Sequence, residues 1–204
     1  MDLAEKKIQV CDYMRELYSE KFFTDIGGNI SIRDQNSFWI TPTRIRKNTV
    51  TPDQLIEISM ENGEILKNLH NLKPSVEWPM HFMIYKQKPV TVILHTHAPY
   101  STAYSVLEKP TQIPHLTAEL KILVPKIVVI PYAPSGSYEL GEKISEGLTE
   151  SEVVILKNHG TVSVSYKEND EMVDAIIKTR ALEEYFKIFA IAKQMGNEIT
   201  PFQG

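Results

Sequence analysis

The chain has 204 residues, 42% of them hydrophobic, enough to bury one substantial core, and no linker-like stretch divides it, so a single domain over 1–204 is expected. Its 22 basic and 26 acidic residues give a net charge of −4, which argues against nucleic acid or an anionic membrane as the main partner. One cysteine, Cys11, allows no intrachain disulfide; no apolar run is long enough to span a bilayer, and Met1–Lys7 lacks a signal peptide's apolar centre, so a cytoplasmic protein is expected.

Leu3, Ile8, Val10, Met14, Leu17 and Tyr18 recur at helical spacing with charges between them, which predicts an amphipathic helix. Asp25 to Arg33 follows, where Gly27-Gly28-Asn29 leads into an alternating strand. Glycines let backbone N–H groups approach an anion, and Asn29 adds a side-chain donor; the plainer reading is an ordinary turn. Asp34 to Ser37 reads as a hairpin connection, and Ser37 to Thr41 as the returning strand. Thr41-Pro42-Thr43-Arg44 then breaks the pattern. If the hairpin register holds, these hydroxyls face the paired glycines and the two turns make a phosphate cradle. The competing reading is a polar turn before a solvated basic loop of Arg44, Arg46 and Lys47.

A strand is predicted over Leu55 to Ser59, a tight turn at Glu61 to Glu64, and an exposed connection from Ile65 to Lys73. Val76, Met80, Met83 and Ile84 fall three to four apart, so a helix runs from Ser75 to about Lys86, with Pro79 in its first turn. Glu77 sits near the start of that helix, and His81, one turn on, reads as a packed histidine. Val90 to His97 is an apolar run ending in His95-Thr96-His97. Side chains alternate along a strand, so the two histidines share a face, about 7 Å apart by strand rise. A helix candidate begins at Ala98, where its free N–H donors suit an anion. In the less legible stretch from Lys109 to Pro125, Glu119 is either a surface charge or a group aimed at the site. Lys126 to Tyr132 reads as a buried strand, Ala133 to Ser137 as a loop, and Tyr138 to Leu148 as a helix. Val153 to Leu156 leads into Lys157-Asn158-His159-Gly160, Thr161 to Ser165 alternates as a neighbouring strand, and a long amphipathic helix closes the chain over Glu168 to Met195.

A lone histidine at a strand end is usually structural, but a same-face pair plus His159 beside a glycine suits Zn²⁺ or a similar divalent Lewis acid. Whether the three converge is decided by the fold. With a single cysteine available, a metal here belongs to the open, substrate-accepting kind of site rather than the closed structural kind.

Gly27-Gly28-Asn29-Ile30-Ser31, Thr41-Pro42-Thr43, Lys73-Pro74-Ser75-Val76-Glu77, His95-Thr96-His97 and Asn158-His159-Gly160, in this order and spacing, resemble the class II aldolase and adducin family over nearly the whole chain. The resemblance implies a three-layer α/β/α sandwich around a central, largely antiparallel sheet, and a homotetramer with sites at subunit interfaces. It implies that His95, His97 and His159 bind Zn²⁺, or another divalent metal such as Mn²⁺ or Co²⁺. Glu77 is then a fourth ligand without substrate and the catalytic acid/base with it, while Gly28, Asn29, Thr43 and Ser75 hold the phosphate of a small-molecule sugar phosphate. The implied reaction is reversible cleavage of a ketose 1-phosphate of the fuculose 1-phosphate kind to dihydroxyacetone phosphate and a small aldehyde such as lactaldehyde, through a metal-stabilised enediolate.

Two positions depart from the aldolase pattern: Val76 replaces a second phosphate-site serine, and Arg44 replaces a glycine. Arg44 is a candidate to supply a charge-assisted fork in place of the lost donors. Glu119 is a candidate second acid/base, which would favour a methylthioribulose-1-phosphate dehydratase; a pentulose-phosphate 4-epimerase is a further reading on the same scaffold. A non-catalytic adducin-like binding module would have no need for three histidines and Glu77 together.

Overall fold

The computed structural model describes residues 1–108, 115–168, 170–196 and 198–202. Its elements in chain order are α1 (Leu3–Ser19), β1 (Asn29–Asp34), β2 (Ser37–Ile40), β3 (Ile56–Ser59), β4 (Ile65–Lys67), α2 (Trp78–Gln87), β5 (Val92–Thr96), α3 (Pro99–Ser105), α4 (Ala118–Leu123), β6 (Val128–Ile130), α5 (Tyr138–Gly147), β7 (Val153–Leu156), β8 (Gly160–Ser165) and α6 (Glu171–Gln194). The strands form one sheet in the order β4-β3-β2-β1-β5-β8-β7-β6, antiparallel throughout except for the parallel pair β6–β7.

Alternation along the strands sends side chains into two layers. On one face Phe38, Ile40, Ile93, Val154, Leu156, Val162 and Val164 pack with Met80 and Ile84 of α2 and Leu140 and Ile144 of α5. On the other, Ile30, Ile32, Val92 and Leu94 meet α1 and the start of α6. Val153 and Ile155 meet Leu120 of α4 and Leu182, Tyr185 and Phe186 of α6. This is the expected α/β/α sandwich. Serines on β8 keep its α6 side thin, so that the helix lies close: Thr179 and Ser163 share a hydrogen bond of 2.7 Å.

Most elements stand where periodicity placed them, and the differences are local. The expected exposed connection after Glu64 contains β4, an edge strand exposed at all three positions and therefore without an alternating signal. The helix expected from Ser75 begins at Trp78, because Glu77 occupies the N-cap position and Pro79 the second helical one. The expected buried strand at 126–132 shortens to β6 at the sheet's edge, where Val128 and Val129 are half-buried. Lys47, read as part of a solvated basic loop, is instead 1% exposed, in a 3-10 turn (Lys47–Thr49); Arg44 and Arg46 remain in solvent.

Candidate metal centre

The site lies at one end of the central strands, on the α2 side of the sheet. Register assembles it: Asn29 at the start of β1 pairs with His95 near the end of β5, His95 pairs with Val162 of β8, and Thr96 pairs with Thr161. His97, one residue past β5, is tied down by its backbone N–H, which donates to the Phe22 carbonyl at 2.9 Å. The tight connection from β7 to β8 holds Asn158 at φ 57°, a left-handed conformation asparagine tolerates, and so turns His159 back toward the pair. The three ring centroids stand 4.7 to 5.2 Å apart, and one nitrogen from each ring lies within 4.8 Å of the others.

These distances fit a small cation. His95 Nε2 and His97 Nε2 are 2.9 Å apart, and His159 Nε2 is 3.5 Å from Glu77 Oε1. Tetrahedral ligands at the usual zinc bond lengths are separated by roughly 3.3 Å. His95 Nδ1 donates to the Thr161 carbonyl at 2.9 Å, which fixes the ring and leaves Nε2 as a free lone pair. Burial, reinforced by the neighbouring imidazoles, holds His95 well below the ordinary histidine range. Burial, with His159 and Lys47 nearby, lowers His97 to about 4. Both rings are therefore neutral at physiological pH, as metal ligation requires. Glu77 is buried and its Oε2 lacks a hydrogen-bond partner among the described residues, an expensive state that a cation or substrate hydroxyl relieves.

A cavity of roughly 350 Å³ opens beside the triad, lined by Gly28, Asn29, Thr43, Ser75, Glu77 and the three histidines, together with Ile26 and Val76. Two turns distant in sequence are stitched together to form its floor. Thr43 N donates to Lys73 O at 3.0 Å and Ser75 N to Thr41 O at 3.1 Å, while Pro42 and Pro74 form an isolated bridge. Gly28, Asn29, Thr43 and Ser75, the residues expected to hold a phosphate, are thus brought together in the lining of one cavity.

Two expected residues stand elsewhere within the chain. Arg44 is exposed at φ 57°, next to Thr43 but outside the cavity lining. Glu119 lies exposed on α4 in a groove with Ile177, Arg180 and Tyr185 of α6, because Leu120 anchors that helix in the core, and it is not among the residues lining the cavity beside the triad. His81 is a packed histidine, fully buried, its Nδ1 2.7 Å from Ser31 Oγ, which also meets Tyr85 OH at 2.8 Å. Sequence reasoning passed over two residues. Ser135 donates a hydrogen bond to Glu77 Oε1, and the buried ammonium of Lys47, lowered by burial to about 8, bears on His97. Ser135-Gly136-Ser137 did carry a turn-and-cap signal, whereas nothing local marks Lys47 for burial.

Known proteins share this layout. A family profile described as the class II aldolase and adducin N-terminal domain matches residues 8–190. An L-fuculose phosphate aldolase of Methanococcus maripaludis is 40% identical over 185 residues, 90% of this chain and 93% of that protein. A 3-oxo-tetronate 4-phosphate decarboxylase of Haemophilus influenzae is 32% identical over 193 residues, 92% of this chain and 88% of that protein. The crystal structure of L-fuculose-1-phosphate aldolase from Thermus thermophilus superposes with a TM-score of 0.84 at 22% identity, covering 96% of this chain and 100% of that one, a likeness of fold.

Proposed function

Since this chain belongs to the class II aldolase and adducin family, whose profile covers residues 8–190, we propose that it is a divalent-metal-dependent lyase cleaving a ketose 1-phosphate reversibly to dihydroxyacetone phosphate and a small aldehyde such as lactaldehyde. The supporting observation is the meeting of three imidazoles and one buried carboxylate beside a cavity floored by polar turns. His95, His97 and His159 hold the cation, Zn²⁺ or else Mn²⁺ or Co²⁺, and Glu77 completes the set. When bound, the cation supplies Lewis acidity to the substrate's carbonyl.

The remaining work falls to side chains and backbone. Gly28 N–H, the Asn29 amide and the Thr43 and Ser75 hydroxyls bind the phosphate and so fix where the reacting carbons lie. Glu77 moves the proton at C3: in cleavage the C4 hydroxyl gives up its proton as the C3–C4 bond opens and protonated Glu77 delivers one to C3, and in condensation Glu77 removes the C3 proton while the aldehyde oxygen takes one up as the bond forms. Ile26 and Val76, 72% and 65% exposed at the cavity, offer apolar surface to the substrate's aldehyde end or to a neighbouring subunit. The carried-over assembly is a homotetramer of single-domain chains in the cytoplasm, with sites at subunit interfaces. No helix of the described residues is long and apolar enough to cross a membrane.

A decarboxylase acting on a 3-oxo acid phosphate is the second reading, favoured by the 32%-identical Haemophilus relative. Glu119, the residue on which the dehydratase reading rests, is not in the cavity lining of its own chain, so that reading needs the glutamate to come from a neighbouring subunit. The test is to incubate Zn²⁺-loaded protein with a panel of ketose 1-phosphates and with 3-oxo-tetronate 4-phosphate. Dihydroxyacetone phosphate is the expected product; carbon dioxide, a diketo phosphate or an epimeric pentulose phosphate points instead to decarboxylase, dehydratase or epimerase. In the same assay Glu77→Gln is expected to stay folded and retain Zn²⁺ while losing at least about a hundredfold in kcat, and unchanged kinetics there would remove its role.

A further inference from the structure

Among the described residues the Glu77 carboxylate accepts a hydrogen bond from a single side chain, and that side chain belongs to neither the histidine triad nor the residues lining the phosphate end of the cavity. Ser135 Oγ donates to Glu77 Oε1, the same oxygen that faces His159 Nε2 at 3.5 Å, and Oε2 is left unpaired. The serine is held there by a built turn. Ser137 N donates to Pro134 O at 3.1 Å, closing four residues, and Gly136 takes the third place at φ 69°, the left-handed conformation a type II turn demands. A β-carbon at Gly136 would lie 2.3 Å from the Val76 carbonyl oxygen, so the turn rides directly on the backbone just before Glu77. Downstream the turn is anchored as well: the Ser137 hydroxyl accepts from Leu140 N and caps α5, whose Gly141 packs against α2 at Met80 and Met83. Both ends of the contact are thereby referred to the same pair of helices.

We propose that Ser135 is the positioning residue for Glu77, its hydroxyl fixing the carboxylate's rotamer so that the group stays poised for proton transfer to and from the reacting carbon. This rests on the aldolase reading. A carboxylate on a buried Glu can turn about three side-chain bonds, and proton transfer requires it within hydrogen-bond reach of one atom. A hydroxyl donating to a carboxylate is a charge-assisted bond, strong enough to select one rotamer. The donation occupies one lone-pair direction on Oε1 and leaves Oε2, unpaired among the described residues, as the oxygen free to carry a proton.

The test compares Ser135→Ala and Ser135→Thr with the unsubstituted chain in three measurements: steady-state cleavage, calorimetric titration of the metal-free protein with Zn²⁺ alone, and the visible spectrum of the Co²⁺-loaded protein. Ser135→Ala is expected to bind one Zn²⁺ per chain with affinity within about threefold of the unsubstituted chain, to lose about tenfold in kcat with KM little changed, and to shift the Co²⁺ spectrum as the carboxylate changes its mode of coordination. Ser135→Thr, which keeps the hydroxyl, is expected to restore both kcat and spectrum. Unsubstituted turnover that Ser135→Ala leaves unchanged, or a kcat loss that Ser135→Thr shares in full, overturns the assignment alone. Failure of the unsubstituted chain either to bind Zn²⁺ or to cleave any ketose 1-phosphate overturns the aldolase reading and the assignment with it.

Discussion

A β-carbon at Gly160 would lie 2.3 Å from the Thr96 carbonyl oxygen and 2.9 Å from His97 Cδ2, so the strand pairing that carries His159 closes only over a residue with no side chain. Gly160→Ala is expected to push His97 off its position and weaken Zn²⁺ binding by at least about tenfold, read by calorimetry on protein whose circular dichroism is unchanged. A second residue-scale consequence concerns acid. Burial lowers His81 to about 3, and its Nε2 has no partner among the described residues. Its folded value lies below its unfolded value near 6.5, so this contribution to stability is fully present above about pH 6.5 and is lost as pH falls toward 3. The slope is up to about 1.4 kcal/mol per pH unit for the one proton taken up. His95 and His97 add slope of the same sign in metal-free protein. The diagnostic is therefore a difference: urea midpoints followed from pH 7.5 to 5 should flatten in His81→Gln by about one proton's worth. The ligand candidates were legible because imidazoles two apart on a strand must share a face; for Ser135 the sequence signals a turn but not its partner, a hydrogen bond across 58 residues, and nothing local marks Lys47 for burial under α1.

Elements, more than residues, set the distance between Glu77 and the histidine triad. Helix α2 begins one residue after Glu77, and α5 lies across it with Gly141 at the crossing, where an added β-carbon would stand 2.6 Å from Met83 Cβ and 2.8 Å from Met80 O. Gly141→Ala is expected to cost about 1–3 kcal/mol in urea unfolding by overpacking this crossing. It should also lower kcat, because the first turn of α5 anchors the Ser135 turn; Glu142→Ala, on the exposed side, should do neither. The sequence located α1, α5 and α6 within a few residues because each shows several turns of one periodicity. It missed β4, where no face is buried to impose a period of two, and it started α2 early because the apolar spacing extends back through Val76, a residue the chain leaves 65% exposed.

At the scale of the whole molecule, the interior strands β1, β5 and β8 are each paired on both sides, while β4 and β6 are edges. Amides of β5 and β8 are expected to exchange with solvent only through global unfolding, and those of β4 through local opening. Zn²⁺ at a hundred times its Kd should slow the first group by an amount equivalent to about 2.7 kcal/mol and leave β4 unchanged, a pattern hydrogen exchange with mass spectrometry can read. The family's sandwich was expected from motif order, yet neither strand order nor register could be read from periodicity, since β5 slots between β1 and β8, strands distant from it along the chain. That insertion has a consequence for biosynthesis. A ribosome delivering this polypeptide releases Glu77, His95 and His97 well before His159. During translation the nascent protein therefore lacks the last imidazole, and the full set proposed for the cation exists only once the β7–β8 hairpin has emerged and joined β5.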